Sequence, residues 1–501
     1  MNQSRPRLTP LFQPLADVEA DWLVVGVPQE PTSDIAFADL DLRLNGEINR
    51  LRQSGDVSGK ALELVPLLSP RGAKARRIML VGFGPAAMAT RAVLHDATSA
   101  ALRAITGRKF SRVAIAVPEA LGSLDIRSVV LGLGAGAVQA SFGPGLRKTE
   151  AARHAPDEIA LAFKPGAASP VIDGAVRRAG AEGHAIAFAR ELVNMPPSDL
   201  YPETFAARAA DDSGRVECEI WDEARLEAER MGAILGIARG SSRPPRLVVL
   251  RYRNAGTAPT LALVGKGVTF DSGGLSLKTN DQMADMKCDM AGGAAVLAAV
   301  RAIATLELKV NLLGIVPLVE NMPGGRAVKL GDVLVARNGK TIEVLNTDAE
   351  GRLILADALA FAVEQQPGHI VDLATLTGAC MVALGTDIAG LMTNDDAWGG
   401  RVRTAATRAG ERAWPLPMDA DFDELLRSKV ADLKNSPPTR YGGAIAGGKF
   451  LQQFVGDVPW VHLDIAGPAW SDHESPARDV GGTGAFVRTL IELAASYADA
   501  A

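Results

Sequence analysis

Cysteine is scarce: the 501 residues hold three, Cys218, Cys288 and Cys380. Their separation excludes a disulfide framework, no pair has the close spacing of a thiolate zinc site, and a reducing compartment is expected. A long uninterrupted apolar run is missing as well. Met1 to Leu23 carries Arg5, Arg7, Asp17, Glu19 and Asp21, which breaks the apolar core that a secretory signal needs, so a cytoplasmic protein is expected. The uncharged run from Ser128 to Leu146 holds five glycines, Pro144 and Gln139, and reads as a Gly-rich helix and loop rather than a membrane span. Neither sign of charge dominates. With 53 Lys and Arg against 58 Asp and Glu, the net charge of −5 offers no whole-molecule footprint for nucleic acid or an anionic membrane. The His-Glu-x-x-His zincin pattern and the Gly-x-Ser-x-Gly elbow are absent, so the six histidines belong to neither of those hydrolase designs. His462, on a β-type run beside Asp464, reads as a hydrogen-bonded core residue.

Hydrophobic residues make up 47% of the chain and charged residues 22%, the balance of a folded protein rather than of a disordered, collagenous or coiled-coil chain. At about 150 residues per domain, the length suits two large domains or three ordinary ones. Before residue 165, β-type runs at Trp22 to Val27, Ile78 to Val81, Val113 to Val117 and Ile159 to Phe163 alternate with helical patterns around residues 35 to 52 and 86 to 105. Pro165-Gly166-Ala167-Ala168-Ser169-Pro170 then punctuates the chain, and an Ala-rich helical pattern runs from Val171 to Val193. Beyond it, apolar runs at Leu247 to Leu250, Leu261 to Val264, Val310 to Val316, Ile342 to Leu345 and Ile370 to Leu373 alternate with helices such as Gly292 to Leu306 and Leu353 to Glu364. The expectation is two α/β domains: a smaller N-terminal one over residues 1 to 168, a connecting helix over 169 to 195, and a larger C-terminal one over 196 to 501 with a mixed central sheet flanked by helices.

Polar residues crowd just after apolar strands in the second domain, where open α/β sheets bind ligands. In Val264 to Gly274, Lys266 and Asp271 sit five apart beside glycines that allow close backbone approach; the competing reading is an ordinary Asp-Ser-Gly-Gly turn. In Met286 to Gly293, Asp289 precedes a small-residue helix start, and the competing reading is a helix N-cap. Asn346 to Leu353 puts Asp348, Glu350 and Arg352 within five residues, with a Thr347 to Glu350 capping box as its competing reading. Together the segments bring Asp271, Asp289, Asp348 and Glu350 to strand ends of one sheet. Four such charges need compensation, and two divalent cations bridged by carboxylates, as in two-metal hydrolases, would provide it. Lys266 joins as a ligand only if deprotonated.

On these residues the chain resembles the leucyl aminopeptidase family, the cytosol aminopeptidases or peptidase family M17. Asn346 to Leu353 reads NTDAEGRL, the family signature in full, and similarity extends through Val264 to Gly274, Glu320 to Pro323, Asp372 to Gly378 and His462 to Gly467. The resemblance implies a metal-dependent aminopeptidase that releases N-terminal Leu and other mainly apolar residues from peptides and amides by a hydroxide held between two metal ions, Mn or Zn. It places the metal ligands on Lys266, Asp271, Asp289, Asp348 and Glu350. Lys278 would stabilise the oxyanion of the gem-diolate, and Arg352 would hold a bicarbonate that accepts the proton of the attacking water. Met286, Thr375 and Gly378 would form the substrate pocket, with the backbone at Leu376 binding the peptide; Thr375 also reads as an ordinary strand residue. A homohexamer with sites facing an inner cavity is implied on the same ground. Leu330, Gly293 and Gly481-Gly482-Thr483 depart from the family pattern, and these bear on side-chain preference rather than on reaction type.

Two phosphate readings fail on their residues. Gly443 to Phe450 fits G-x-x-x-x-G-K, but Phe450 stands where a P-loop needs Ser or Thr for magnesium. Gly82-Phe83-Gly84 lacks the third glycine of a dinucleotide fingerprint and reads as a tight turn. The alternative function is a catalytically weak relative acting mainly as a DNA-binding or regulatory protein, which the acidic net charge disfavours.

Overall fold

In a computed structural model describing residues 5–30, 34–211 and 214–498, the alternating β and helical patterns resolve into two large sheets, each within its own compact unit, and two small ones. The first unit runs to Ala187 and includes Arg408–Gly410 and His473–Val480; the remainder, from Phe188, forms the second. The division falls inside one helix, Pro170–Asn194.

The first sheet has six strands in the order Arg7–Phe12, Glu158–Phe163, Arg112–Ala116, Trp22–Pro28, Ile78–Gly84 and Leu64–Leu67. All neighbours are parallel except the last pair. Four of these strands follow directly from the apolar runs. The other two, Arg7–Phe12 and Leu64–Leu67, are the edges, and each contains a proline, which edge strands tolerate and which mutes the strand pattern. The helical stretch expected around residues 35 to 52 is two helices, Ile35–Arg43 and Glu47–Ser54, because Asn45 and Gly46 between them both adopt positive φ. The Gly-rich run after Ser128 forms the buried helix Ile126–Ala140, capped by Asp125.

The second sheet is mixed and has nine strands. Its centre is parallel, in the order Trp460–Asp464, His369–Ala374, Thr260–Gly265 and Asn311–Asn321. On one side Arg246–Arg253 and then Glu217–Trp221 add by antiparallel pairing; on the other Ala389–Thr393 adds antiparallel and Ala413–Pro415 pairs parallel with it. The ninth strand, Gly267–Asp271, pairs with the far end of Asn311–Asn321, so Lys266 lies at the break between two collinear partners of one long strand. Central strands buried on both faces read as continuous apolar runs, which is why these were visible, whereas Glu217–Trp221 is half polar and was not.

Helix Ala291–Thr305 packs with Val487–Ala498, and helix Gly351–Glu364 packs with Gly232–Ala238 and Gly443–Gln452. Strand residues Ala262, Val264, Leu313, Ile315 and Ile370 share one core with Leu353, Ala356 and Phe450 of those helices. The stretch Asn280–Thr305 is long and apolar enough to cross a membrane, but 89% of its most apolar window is buried in the protein, the behaviour of a core helix. The run Ile342 to Leu345 departs from expectation. Only Thr341–Glu343 is a strand, and it belongs to a separate three-stranded sheet with Val333–Val335 and Leu433–Lys434.

Candidate metal centre

The break after Gly265 turns Lys266 out of the sheet and into a buried polar cluster. Close packing makes this possible. A Cβ on Gly292 would lie 2.1 Å from the Leu373 carbonyl oxygen, and one on Gly351 would lie 2.6 Å from Lys266 Nζ, so glycine at both positions lets two helix starts abut the strand ends. Lys266 Nζ stands 2.7 Å from Asp289 Oδ1 and 2.9 Å from Glu350 Oε1, and donates to the Thr375 carbonyl at 2.9 Å. Lys278 Nζ stands 2.9 Å from Asp271 Oδ2 and 2.5 Å from Asp348 Oδ1. Carboxylate oxygens of Asp271, Asp348 and Glu350 come within 4.8 Å of one another. The structure therefore brings Lys266, Asp271, Lys278, Asp289, Asp348 and Glu350 into one cluster.

The second-unit strands supply only part of it. Asp271 ends a strand of the central sheet, Asp289 follows the short turn Met286–Cys288, and Asp348 and Glu350 lie in the loop between the small side sheet and helix Gly351–Glu364. The expectation that all four carboxylates sit at strand ends of one sheet is thus corrected: Asp271 does, and the others arrive on loops. Both capping readings are also overturned. Helix Ala291–Thr305 starts at Met290 without a side-chain cap, leaving Asp289 to accept from Lys266 and from Thr375 Oγ1 at 2.7 Å. Thr347 makes no capping box; its hydroxyl accepts from Ser276 N–H at 2.8 Å and donates to the Gly273 carbonyl at 2.6 Å, tying the two loops together.

Burial and mutual repulsion govern the charges. Burial, reinforced by Glu350, pushes Asp271 up to about 7, and burial raises Asp289 well above the usual carboxylate range. Burial would also raise Glu350, but the attraction and hydrogen bond of Lys266 outweigh it and hold this carboxyl low. Both lysines are held charged, since their carboxylate neighbours overcome burial. Two ammonium groups thus answer four carboxylates, and Asp289 Oδ2 and Glu350 Oε2 are buried without a hydrogen bond from any of the described residues. Oxygen-rich, under-compensated and with orphaned acceptors, the donor set fits divalent cations.

Arg352 is buried at the start of its helix, and burial lowers it to about 10, still charged at neutral pH. Its Nη1 donates to the Asn435 carbonyl at 2.9 Å, while Nε has no partner. Met286 and the stretch Thr375 to Thr377 are half-buried, and Gly378 opens on free space where a Cβ would go. The Leu376 N–H donates to Asp464 Oδ1 at 3.2 Å.

Several residues of this neighbourhood carry little signal in the sequence. Asn321 Nδ2 donates both to Asp271 Oδ1 at 2.8 Å and to the Thr347 carbonyl at 2.9 Å. In the sequence it falls within the Glu320 to Pro323 segment of the family resemblance, at the end of an apolar run, with no role attached to it. Asp464, buried at a strand end, also accepts from Thr377 Oγ1 at 2.6 Å. His462 is fully buried and bonded, as expected of a core histidine, but to Asp372 at 2.6 Å rather than to its neighbour Asp464. The P-loop-like segment is the body of helix Gly443–Gln452, and its Lys449 is buried against Asp423 at 3.0 Å, which leaves no phosphate cradle.

Comparison with known proteins agrees along the whole length. The catalytic-domain model of the cytosol aminopeptidase family matches residues 187–491 and its N-terminal-domain model matches residues 24–142. A probable cytosol aminopeptidase of Rhodopirellula baltica is 44% identical over 97% of this chain and 96% of its own, and one of Solibacter usitatus is 44% identical over 97% and 98%. A mutant tomato leucine aminopeptidase superposes with a TM-score of 0.86 at 33% identity, over 99% of this chain and 97% of that one. The bottromycin maturation enzyme BotP in complex with Mn does so with a TM-score of 0.84 at 36% identity, over 96% and 100%.

Proposed function

The chain belongs to the cytosol aminopeptidase family and is a metal-dependent aminopeptidase, and we propose that it holds two divalent cations and releases N-terminal Leu and other mainly apolar residues from peptides and amides. One observation carries this reading: Asp271, Asp348 and Glu350 converge within 4.8 Å in a buried cluster where loss of solvent raises the carboxyls of Asp271 and Asp348. Lys266, Asp271, Asp289, Asp348 and Glu350 would hold the cations, with Mn favoured by the Mn complex of a similar protein and Zn the other choice. When bound, the cations supply polarisation of the scissile carbonyl and a water ionised near neutral pH.

The chain's own residues do the rest. Lys278 stays charged beside Asp271 and Asp348, and its ammonium would stabilise a carbonyl oxygen on which negative charge builds. Arg352 cannot act as a base, but its unpartnered Nε suits a planar oxyanion, and bicarbonate held there would take the proton of the attacking water. Thr375 fixes Asp289. With the Leu376 N–H committed to Asp464, its carbonyl is the group left to receive the peptide. Met286, Thr375 and Gly378 would line the pocket for the first side chain, and the open space at Gly378 suits a medium-sized apolar group.

A homohexamer in the cytoplasm accords with the family resemblance, and sedimentation of the purified chain tests the assembly. The reading of a catalytically weak DNA-binding or regulatory relative is supported by none of these matches. The test of function is a panel of aminoacyl amides given to metal-free protein reloaded with Mn, Zn, Co or Mg. Graded activity favouring Leu and Met, and only after metal addition, is expected; full activity in the chelated protein would overturn the proposal.

A further inference from the structure

Asn435 lies one residue beyond the short strand Leu433–Lys434, whose register against Thr341–Glu343 sets Lys434 opposite Glu343. The next residue is thereby delivered beside the loop that leads into the metal centre. Asn435 is fully buried, and every polar atom it has is bonded to the segment from Glu343 to Arg352. Its N–H donates to the Glu343 carbonyl at 3.0 Å, and its Oδ1 accepts from the N–H groups of Leu345 and Asn346 at 2.9 and 3.3 Å. Its Nδ2 donates to the carbonyls of Asn346 and Ala349 at 2.6 and 3.4 Å, and its own carbonyl accepts from Arg352 Nη1 at 2.9 Å. Between Glu343 and Gly351 the chain forms neither helix nor strand, so its peptide groups have no ladder to satisfy them. That stretch carries Asp348 and Glu350, and Arg352 follows it.

We propose that Asn435 is a positioning residue, holding Asp348, Glu350 and Arg352 in register with Asp271 and Lys266; the proposal rests on the reading of the site given above. Only a planar amide offers two acceptor directions and two donors on one short side chain, which is what a loop presenting both N–H and carbonyl groups requires. Groups that orient ligands without touching the metal commonly change metal affinity by about 10- to 100-fold when removed.

The same chain contains its own control. Asn311 is buried at the opposite end of a central strand and clamps a loop in the same way. Its Oδ1 accepts from Asn254 and Ala255 N–H at 3.1 and 3.0 Å, and its Nδ2 donates to the Gly256 and Ala258 carbonyls at 3.0 and 2.9 Å. That loop carries none of the site residues. Asn435→Ala and Asn311→Ala should therefore lower the melting temperature alike, and only the first should touch the chemistry.

The experiment compares wild type and both variants by calorimetric titration of the metal-free proteins with Mn, and by kcat and KM for Leu-p-nitroanilide at saturating Mn. For Asn435→Ala the expectation is Mn affinity weaker by about tenfold or more and a fall in kcat at little-changed KM, with Asn311→Ala matching wild type in both. Should Asn435→Ala not fold, Asn435→Ser, whose hydroxyl keeps part of the bonding, is expected to lie between wild type and that loss. An Asn435 variant indistinguishable from Asn311→Ala in Mn affinity and kcat overturns the proposal. A wild type without activity overturns the functional reading instead, and the Mn affinities then decide the role of Asn435.

Discussion

Glu350 is the residue on which the cluster turns. It meets Lys266 directly and shares the carboxylate triangle with Asp271 and Asp348. Glu350→Ala is expected to abolish metal-dependent hydrolysis while leaving a folded chain, because the loss removes a proposed metal carboxylate rather than any apolar packing; near-normal turnover at saturating Mn, with circular dichroism unchanged, would contradict this. Arg352→Ala should keep the metal and lose about 10²- to 10⁴-fold in kcat, the usual worth of assisted proton transfer, with bicarbonate failing to stimulate the variant. Lys266 adds a pH dependence. In the metal-free chain Asp289 and Glu350 hold its ammonium charged above the ordinary lysine range, yet only the neutral amine can ligate. Metal binding must then expel a proton, so affinity should rise with pH. Calorimetry in buffers of different ionisation enthalpy measures that release, and binding without proton release would remove Lys266 from the ligand set.

At the scale of elements, what was legible followed burial. The central strands of both sheets are built around buried apolar runs and stand out, whereas the proline-bearing edges Arg7–Phe12 and Leu64–Leu67 and the half-polar Glu217–Trp221 do not. The site motifs were legible as short clusters of acid and lysine, but the residues that fix them were not. Asn321 and Asn435 act across 26 and 89 residues of sequence, distances over which no local pattern exists. The same limit explains why the competing capping-box reading of Thr347 to Glu350 fails, since Thr347 spends its hydroxyl on Gly273 rather than on its own helix. Asp357 is a further long-range anchor. Fully buried on helix Gly351–Glu364, it accepts from the N–H groups of Ala233 and Ile234, both at 2.9 Å, and of Arg337 at 2.8 Å. Asp357→Ala strands these three donors and should destabilise the chain by about 3 kcal/mol or more, read from the shift in urea midpoint. An unshifted midpoint would show that water replaces the carboxylate.

For the whole molecule, stability below neutral pH should carry a contribution from His184, in the first unit. Burial, aided by the charge of Arg5, lowers this imidazole to about 4, and its Nδ1 has no hydrogen-bond partner among the described residues. Because its folded value lies below that of the unfolded chain, the unfolded state binds more protons between about pH 4 and pH 6.5, so the contribution is complete above that window and is lost as pH falls through it. The urea midpoint should fall from pH 7 to pH 5 more steeply in wild type than in His184→Gln, and parallel curves would assign the acid sensitivity elsewhere.

The proposed chemistry depends on an N-terminal amine as the anchor of the substrate. A neutral amine can ligate a cation while the neighbouring carbonyl meets Lys278, which fixes the first peptide bond over the site. An acetylated amine cannot ligate, and its acyl group would crowd Asp289. The direct test is hydrolysis of Leu-p-nitroanilide and N-acetyl-Leu-p-nitroanilide by one preparation at identical Mn loading. The free amine compound should be cleaved and the acetylated one left intact; comparable cleavage of the two would contradict the aminopeptidase geometry at this centre.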